Sequence, residues 1–373
     1  MNDKKITYFY QAGRKDKLFG KEEYAKEMFY GYHYFQKKFN SVNIVEFLPI
    51  ESKIRRLFRN KIEKRISNVF KLPIYWTYMV TKKNKKIIKD SDYVILNNNR
   101  MGASIMPLFL WNNLMKKKQA VSLCFVLGLF SRKTKYKFLM FFHNLYIKLI
   151  LKNIDKFIFL SEGELDFAKS KFTKHKKKFY LLPFAVDLDM WKLQEHNKEG
   201  ILFVGNDGFR DFRLVEDIIN SLPEINFSIV SEFINEKNLL HKNFKIYNGS
   251  WGNPAISDLE LRDLYASSKL TIIPLVNSLQ PSGQSVALQS IACGTPVIIS
   301  QTDGFWDKAN FKNGLNIVFN EDSLIETWKS NILDLYKMSD NNYNKIVNSG
   351  LDLINKKYDL DDFSKKIETI LFS

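Results

Sequence analysis

Short apolar runs alternate with longer amphipathic stretches through the first half of the chain. The runs have the length of buried strands, and the longer stretches repeat their apolar residues every three or four positions, as helices do. The predicted strands of this half are residues 5–10, 42–48, 93–96, 120–127 and 157–160. The predicted helices are residues 21–39, 104–115, 133–152 and 162–172, with residues 11–20 as a loop. This alternation indicates a parallel, doubly wound sheet.

The second half repeats the alternation after a turn-rich and polar passage at residues 183–200. Ser257 and Glu260 have the spacing of a capping box at one of its helices. The predicted strands are residues 201–204, 226–230, 245–247, 269–273 and 297–299, and the predicted helices are residues 214–221, 258–267, 360–372 and one that begins near Ser282 or Gln284. We therefore predict an α/β chain with domains at residues 1–192 and 193–357, and a helix at residues 358–373 that docks on one of them.

Composition narrows the class of protein. The chain has 373 residues, of which 45% are hydrophobic, as in a globular protein. Cys124 and Cys293 lack CxxC spacing, and the five histidines share no metal-ligand spacing, so neither a disulfide framework nor a metal site is expected. The polar first residues are unlike a signal peptide, so a cytoplasmic location is expected. The uncharged span between Lys269 and Asp303 contains three prolines and is predicted to be core, not a membrane helix.

Charge is distributed unevenly along the chain. The formal net charge is +17, yet residues 1–180 hold 39 Lys and Arg against 14 Asp and Glu, while the remainder holds 18 against 26. A basic half suggests an anionic partner, either nucleic acid or a membrane leaflet, and a solvated basic face is the ordinary alternative. No nucleic-acid module is recognisable, so nucleic acid is not the expected partner.

Two stretches of the basic half mix cations with large apolar residues. Residues 53–71 predict a basic amphipathic helix, and residues 133–152 combine Lys133, Lys135, Lys137 and Lys148 with several phenylalanines. Such helices lie in a lipid interface, with lysines at the head groups. A buried helix whose lysines extend to solvent is the alternative for the second stretch.

Residues 280–298 join a small-residue loop to a short helix and a buried strand. Pro281, Ser282 and Gly283 allow the backbone to approach a ligand, and Ser282 or Gln284 begins a helix whose first amides lack internal partners. Free amides at a helix start attract an anion such as a phosphate. The alternative is an ordinary turn in which the glycines only serve packing.

This segment resembles the donor-site motif of the retaining glycosyltransferases of family four. The resemblance is strongest from Leu288 to Val297, whereas Pro281 and Gln289 stand where the family has two Glu residues. It implies the GT-B fold, two Rossmann-like doubly wound domains that face across a cleft. It also implies a metal-independent enzyme without a cofactor, which uses a nucleoside diphosphate sugar as substrate. Gln289 would contact the donor ribose in place of the second Glu.

The loop after the predicted strand 201–204 has the position at which α/β sheets bind ligands. Arg210 is the predicted catalytic residue, a clamp on the donor diphosphate, because a guanidinium binds two phosphate oxygens at once. Gly205 and Asn206 lie in the same loop, and the resemblance expects a second cation where Asn206 stands. A surface ion pair between Arg210 and Asp207 or Asp211 is the alternative.

The remaining site residues follow from the resemblance. Tyr247, Asn248, Gly249 and Ser250 are expected near the nucleotide base, and Gly20 near the donor phosphate. Asn98, Asn99 and Arg100 are candidates for acceptor contacts, and Leu127-Gly128 offers no catalytic base where the family has His or Asp. The full set of donor-side residues is Gly20, Gly205, Asn206, Arg210, Tyr247, Asn248, Gly249, Ser282, Gly283, Gln284, Ser285, Val286 and Gln289.

The sequence thus predicts a glycosyltransferase that moves a sugar from a nucleoside diphosphate donor to a glycan or lipid-linked acceptor of the cell envelope. It would act as a peripheral protein on the inner face of the membrane, whose anionic surface would be a partner. The alternative is a catalytically inactive GT-B-like protein that binds a glycan or a membrane assembly. An epimerase on the same fold is also conceivable.

Overall fold

The computed structural model describes residues 2–47, 50, 52–117, 119–132, 134, 137–249 and 254–373. Four residues of the predictions lie outside these ranges: Leu48, Lys133, Lys135 and Ser250. The chain forms two compact units. The first comprises Met1–Gly20, Phe29–Leu182 and Ser364–Ser373, and the second comprises Lys21–Met28 and Pro183–Phe363.

These units differ from the predicted ranges, and residues 183–192 group with the second unit instead of the first. Lys21–Met28 groups with the second unit, where the backbone N–H of Ala25 and that of Lys26 donate to the carboxylates of Asp258 and Asp187. The end of the last helix groups with the first unit, because Lys156 Nζ donates to carbonyls at the C-terminus. The division into domains at residues 192 and 357 stays a prediction.

The first unit is built on a six-stranded parallel sheet with the order β2-β1-β3-β4-β5-β6. Its strands are β1 (Asn2–Tyr10), β2 (Phe39–Glu46), β3 (Tyr93–Leu96), β4 (Val121–Val126), β5 (Lys156–Phe159) and β6 (Phe179–Leu181). Its helices are α1 (Arg14–Phe19), α2 (Tyr32–Lys38), α3 (Lys53–Phe58), α4 (Lys64–Phe70), α5 (Trp76–Met79), α6 (Lys82–Asp90), α7 (Asn99–Leu114), α8 (Lys137–Asn153) and α9 (Glu162–Lys171). A π-helical turn, Arg59–Glu63, joins α3 to α4.

The second unit also contains a six-stranded parallel sheet, with the order β12-β11-β10-β7-β8-β9. Its strands are β7 (Ile201–Val204), β8 (Phe227–Val230), β9 (Phe244–Tyr247), β10 (Leu270–Ile273), β11 (Val297–Ser300) and β12 (Val318–Asn320). Its helices are α10 (Phe212–Ser221), α11 (Asp258–Ser267), α12 (Gln284–Ala292), α13 (Ile325–Tyr336) and α14 (Asp340–Lys357), and the chain ends with α15 (Leu360–Phe372). Numbered from its own first strand, this sheet has the 3-2-1-4-5-6 order of a Rossmann fold.

Strand order fixes where each sheet can bind a ligand. In the first sheet the chain moves outward in both directions from β1 and β3, and in the second it does so from β7 and β10. Loops at the carboxyl ends of such a strand pair diverge to opposite faces, which leaves a crevice at the edge of the sheet. The two pairs therefore mark the two places where a site is expected.

The predicted fold class is confirmed by these two sheets, and most predicted elements are present. The predicted helix at residues 21–39 is wrong, because Tyr30 and Gly31 adopt positive φ angles of 52° and 81° and only α2 is α-helical. The predicted loop at residues 11–20 contains α1.

The uncharged span between Lys269 and Asp303 forms β10, α12 and β11, as expected for core. Within the described ranges, no helix combines the length and the apolar character needed to cross a membrane.

Candidate functional site

The loops after β7 and β10 lie side by side at the centre of the second sheet. The N–H of Val276 donates to the carbonyl of Phe209 at 2.9 Å, and that of Asp211 donates to the carbonyl of Pro274 at 3.1 Å. Arg210 and Leu275 pair as an isolated antiparallel bridge. The backbone therefore holds Arg210 at the strand pair where the topology predicts a ligand.

The side chain of Arg210 is buried in a space that a glycine provides. A Cβ on Gly205 would lie 2.2 Å from Arg210 Nε, so no other residue fits there without displacing the guanidinium. Nη1 lies 2.9 Å from Asp207 Oδ2, and Nε lies 3.4 Å from the carbonyl oxygen of Val204. Burial lowers the pKa of Arg210, and the nearby Asp207 carboxylate opposes this effect. The ion pair with Asp207 exists, but it is not a surface pair, since the Arg210 side chain is only 3% exposed.

Helix α12 begins beside this guanidinium. Gly283 has a φ of 80° at the N-cap, and a Cβ there would lie 2.7 Å from Ile273 Cγ2 and 3.6 Å from Arg210 Nη1. Among the described residues, no side chain caps α12, and the amides of a helix's first turn favour an anion as their partner. The Ser282 hydroxyl is buried and makes no hydrogen bond with a described residue. One cation and one helix start thus meet at a single point, an arrangement suited to a phosphate.

The predicted α12 residues differ in exposure. Gln284 and Val286 are buried, and Ser285 in the same first turn is partly exposed. The helix is buried from Val286 onward, including Gln289 and Ser290. Within α12, Ser285 of the first turn is the residue that reaches the surface.

Asn206 joins three loops of the second sheet. Its Nδ2 donates to the carbonyl of Gly249 at 2.7 Å, and its Oδ1 accepts from the Ser231 hydroxyl and from the Glu232 N–H. Gly249 is buried, because a Cβ there would lie 2.2 Å from the backbone nitrogen of Ala255. Two predicted donor-side residues, Asn206 and Gly249, are therefore in direct contact, and Asn206 connects the loops around them by hydrogen bonds.

The expected base-side residues lie at the end of β9. Tyr247 is half-buried, and Lys245 Nζ lies 4.8 Å from the centre of its ring. Asn248 is exposed, and Ser250 is outside the described residues. A half-buried ring next to an exposed loop can stack on a planar ligand.

Gln289 takes part in a buried hydrogen-bond chain. Its Oε1 accepts from the Tyr265 hydroxyl at 3.3 Å, and its Nε2 donates to Glu27 Oε1 at 2.8 Å. The same Glu27 oxygen accepts from Trp191 Nε1 at 2.8 Å. Each polar group of the buried Gln289 side chain holds one of these bonds, so a ribose hydroxyl would have to reach its second N–H or its second lone pair.

Glu27 is the residue that sequence reasoning missed. It is fully buried, and its Oε2 has no hydrogen-bond partner among the described residues. Burial raises its pKa to about 7, while the hydrogen bond from Gln289 opposes the rise. Its sequence neighbours predict a solvent-facing position on a helix, and only contacts with residues more than 160 positions away reveal its place.

The acceptor-side candidates lie at the carboxyl end of β3 in the first unit. Asn98 caps α7 by accepting from the N–H groups of Arg100 and Met101, and Asn99 Nδ2 donates to the carbonyl of Leu127 at 2.9 Å. Arg100 is exposed, and its Nη1 donates to Gln11 Oε1 at 3.2 Å. Of the three, Arg100 is the one available to a ligand.

Gly20 and the loop after β4, at Leu127-Gly128, complete the predicted set. Gly20 is exposed and ends α1, where a Cβ would lie 2.8 Å from the carbonyl oxygen of Asp16. The N–H of Gly128 donates to Glu164 Oε2 at 2.9 Å, and burial raises the pKa of Glu164 to about 7. This carboxylate anchors the loop after β4.

In the part of the chain that the structure describes, no group of three or more His, Cys, Asp or Glu residues is arranged to hold a metal ion. The Asp187 carboxylate accepts from the backbone N–H groups of Lys26 and Asp189.

Comparison with solved structures supports the fold. A glycosyltransferase from Rickettsia africae matches with a TM-score of 0.68 and 14% identity over 100% of this chain and 98% of its own. HepE of Anabaena, solved with UDP and glucose, matches with a TM-score of 0.66 and 11% identity over 99% and 100%. WaaG, a glycosyltransferase involved in lipopolysaccharide biosynthesis, matches with a TM-score of 0.65 and 13% identity over 98% and 99%.

No protein-family model and no curated protein sequence matches the chain. The similarity to solved structures, together with the two Rossmann-like sheets, assigns the chain to the GT-B fold class.

Proposed function

We propose that this protein is a metal-independent, retaining glycosyltransferase that transfers a sugar from a nucleoside diphosphate sugar to a glycan or lipid-linked acceptor. The donor diphosphate binds between Arg210 and the start of α12. Transfer takes place at the cytoplasmic surface of the membrane, in the synthesis of cell-envelope polysaccharide.

The observation on which this proposal rests is the position of Arg210. A buried guanidinium beside an uncapped helix start is a site for a multiply charged anion. The pair also suits a reaction in which charge develops on a departing diphosphate, because preorganised cations and amides stabilise that charge as it forms. In the same fold, HepE has been solved with UDP and with UDP-glucose.

A membrane location is supported by an exposed apolar face on the first unit. Phe138, Phe141, Phe142 and Leu145 of α8 follow helical spacing and are 71%, 68%, 53% and 45% exposed. We call these four residues the α8 face. Phe142 packs edge-on against Phe70 at the end of α4, with ring centres 6.2 Å apart.

Exposed cations lie on α8 itself and on α4, which contacts α8 through Phe70 and Phe142. The exposed cations nearby on α4 and α8 are Lys64, Arg65, Lys137, Lys148 and Lys152. Apolar side chains between exposed lysines and arginines match the two layers of an anionic leaflet. The other side of α8, with Ile147 and Ile150, faces the core.

The proposal is tested by comparing sugar transfer after substitution of two arginines, Arg210 in the loop after β7 and Arg213 in α10, the helix that follows this loop. Arg210→Ala should abolish sugar transfer, because it removes the cation from the diphosphate site. Arg213→Ala, an exposed position on α10, is the matched control and should transfer sugar normally. Normal transfer by a folded Arg210→Ala protein would show that the donor site is elsewhere.

A second candidate is a non-catalytic GT-B-like protein that binds a glycan or a membrane assembly. It is favoured by Gln289, whose side chain is occupied by Glu27 and Tyr265. Titration with sugar nucleotides separates the two candidates, since only the enzyme is expected to bind a donor.

A further inference from the structure

A second charged cluster lies at the carboxyl edge of the first sheet, separate from the donor site. Arg100 follows β3, and Arg132 follows β4, the neighbouring strand. Arg132 Nε lies 3.3 Å from the carbonyl oxygen of Gly128, which fixes its side chain near the end of β4. Tyr75 is a shared neighbour of the two arginines. The Arg100 guanidinium lies 6.0 Å from the centre of its ring, and the charge of its ionised hydroxyl would raise the pKa of Arg132.

The loops that carry the two arginines contact each other: Asn99, next to Arg100, donates to the carbonyl of Leu127 at 2.9 Å, and Gly128, the residue after Leu127, holds Arg132. Burial lowers the pKa of Arg132, and the Arg100 charge lowers it further. Neither arginine forms a direct ion pair with any described residue. Glu164 offsets part of this charge, but one of its oxygens is committed to the N–H of Gly128. The edge of the sheet therefore has an excess of positive charge.

Arg59, another cation of the same unit, differs in having its charge paired. Arg59 stacks on Tyr75 at 4.3 Å and pairs with Glu63, which is fully buried. Its charge is thus neutralised within the protein. Arg100 and Arg132 have no such ion pair with a described residue, so their charge is available to a ligand from solution.

Asn97 adds an independent observation at the same strand end. It is 1% exposed, and neither Oδ1 nor Nδ2 makes a hydrogen bond with a described residue. Buried amides without partners are rare in proteins, because each costs the free energy of lost hydration. Asn97 directly precedes the cap of α7, where the strand order of the first sheet predicts a ligand.

We propose that Arg100 and Arg132 bind a phosphate monoester at the carboxyl edge of the first sheet, between the ends of β3 and β4. Two unpaired guanidinium groups match the charge of a phosphate monoester, which is close to −2 at neutral pH, better than the single charge of a carboxylate. If the proposed glycosyl transfer is correct, this phosphate belongs to the acceptor.

The test is calorimetric titration of the full chain with inorganic phosphate. The wild type binds phosphate, and Arg100→Gln and Arg132→Gln each weaken binding by about 10-fold or more, since each removes charge-assisted hydrogen bonds. Arg132→Lys has an intermediate effect, because it keeps the charge but not the two-pronged geometry. Arg213→Gln, an exposed cation on α10, is the matched control and binds as the wild type does.

The donor site is excluded by repeating the titration in Arg210→Ala. Phosphate binding that depends on Arg100 and Arg132 and survives this substitution supports the site even if no sugar nucleotide binds, which would contradict only the proposed function. Unchanged phosphate binding by Arg100→Gln and Arg132→Gln, or acetate binding as tight as that of phosphate, would overturn the proposal.

Two further probes identify the source of the phosphate. Preference for glucose 6-phosphate over vesicles of phosphatidic acid assigns the site to a soluble phosphorylated sugar. The reverse preference assigns it to a phosphorylated lipid. Either preference supports the site only if it is lost in Arg100→Gln.

Discussion

Arg210 depends on Gly205, whose missing side chain leaves room for the guanidinium. Gly205→Ala would place a methyl group 2.2 Å from Arg210 Nε and force the side chain to move. We expect this change to weaken the binding of the donor nucleotide about 10-fold or more, measured by calorimetric titration, although Arg210 itself is retained. Gly208→Ala is the control, because no atom lies within 4 Å of a Cβ at Gly208. Equal affinity of the two variants would contradict the position assigned to Arg210.

Glu27 gives a prediction about pH. Burial raises the pKa of Glu27 from its ordinary value of 4.5 to about 7, so between these pH values the folded protein holds a proton that the unfolded chain releases. The stability that depends on this proton is complete below pH 4.5 and is lost as the pH rises through 7. Glu27→Gln keeps an oxygen for Trp191 and Gln289 but cannot ionise.

Between pH 5 and 8 the wild type should therefore lose on the order of 2 kcal/mol of stability relative to Glu27→Gln. Denaturant unfolding of both proteins at the two pH values measures this difference. Parallel losses of stability in the two proteins would mean that Glu27 is already ionised at pH 5.

At the scale of elements, local patterns predict the second sheet well. Its buried strands are apolar runs bounded by Gly, Pro or polar residues, and the capping box of Ser257 and Glu260 is present as predicted. The loop of Arg210 is found at the strand end where the doubly wound order requires it. These features depend on neighbours in sequence or on a general rule of topology.

The predictions fail for segments whose structure depends on contacts with residues that are distant in sequence. Residues 21–28 have helical spacing, but hydrogen bonds from Ala25 to Asp258 and from Lys26 to Asp187 hold this segment in the second unit. The place of Glu27 follows from the same contacts. Arg132 was overlooked because nothing in its sequence neighbourhood indicates that it lies near Arg100.

The α8 face yields a prediction at the same scale. Phe138→Asp and Phe141→Asp should reduce sedimentation with anionic liposomes, because each places a negative charge where an apolar side chain would enter the lipid. Both positions are more than two-thirds exposed, so the fold should tolerate the change. Leu240→Asp, an equally exposed apolar position in the second unit, is the control.

Wild-type binding should also fall with added salt and be weak on neutral vesicles. Unchanged sedimentation of both α8 variants would rule out this helix as the membrane contact.

For the whole molecule, the distribution of charge agrees with different binding roles for the two units. Residues 1–180 contain the excess of Lys and Arg, and they include the α8 face and the pair of Arg100 and Arg132. The acidic remainder contains the site at Arg210, which relies on one buried cation and a helix start rather than on overall charge. We therefore propose that the first unit binds anionic acceptors and membranes and that the second unit binds the nucleotide.

We propose above all that the site at Arg210 and α12 binds a nucleoside diphosphate sugar. Thermal unfolding of the full chain with a panel of sugar nucleotides examines this binding. We expect at least one of them to stabilise the wild type, by about 2.7 kcal/mol at a concentration of 100 times Kd, and we expect Arg210→Ala to lose this gain while Arg213→Ala keeps it. If no sugar nucleotide raises the unfolding temperature, or if the rise is equal in Arg210→Ala, the site does not bind a sugar nucleotide through Arg210.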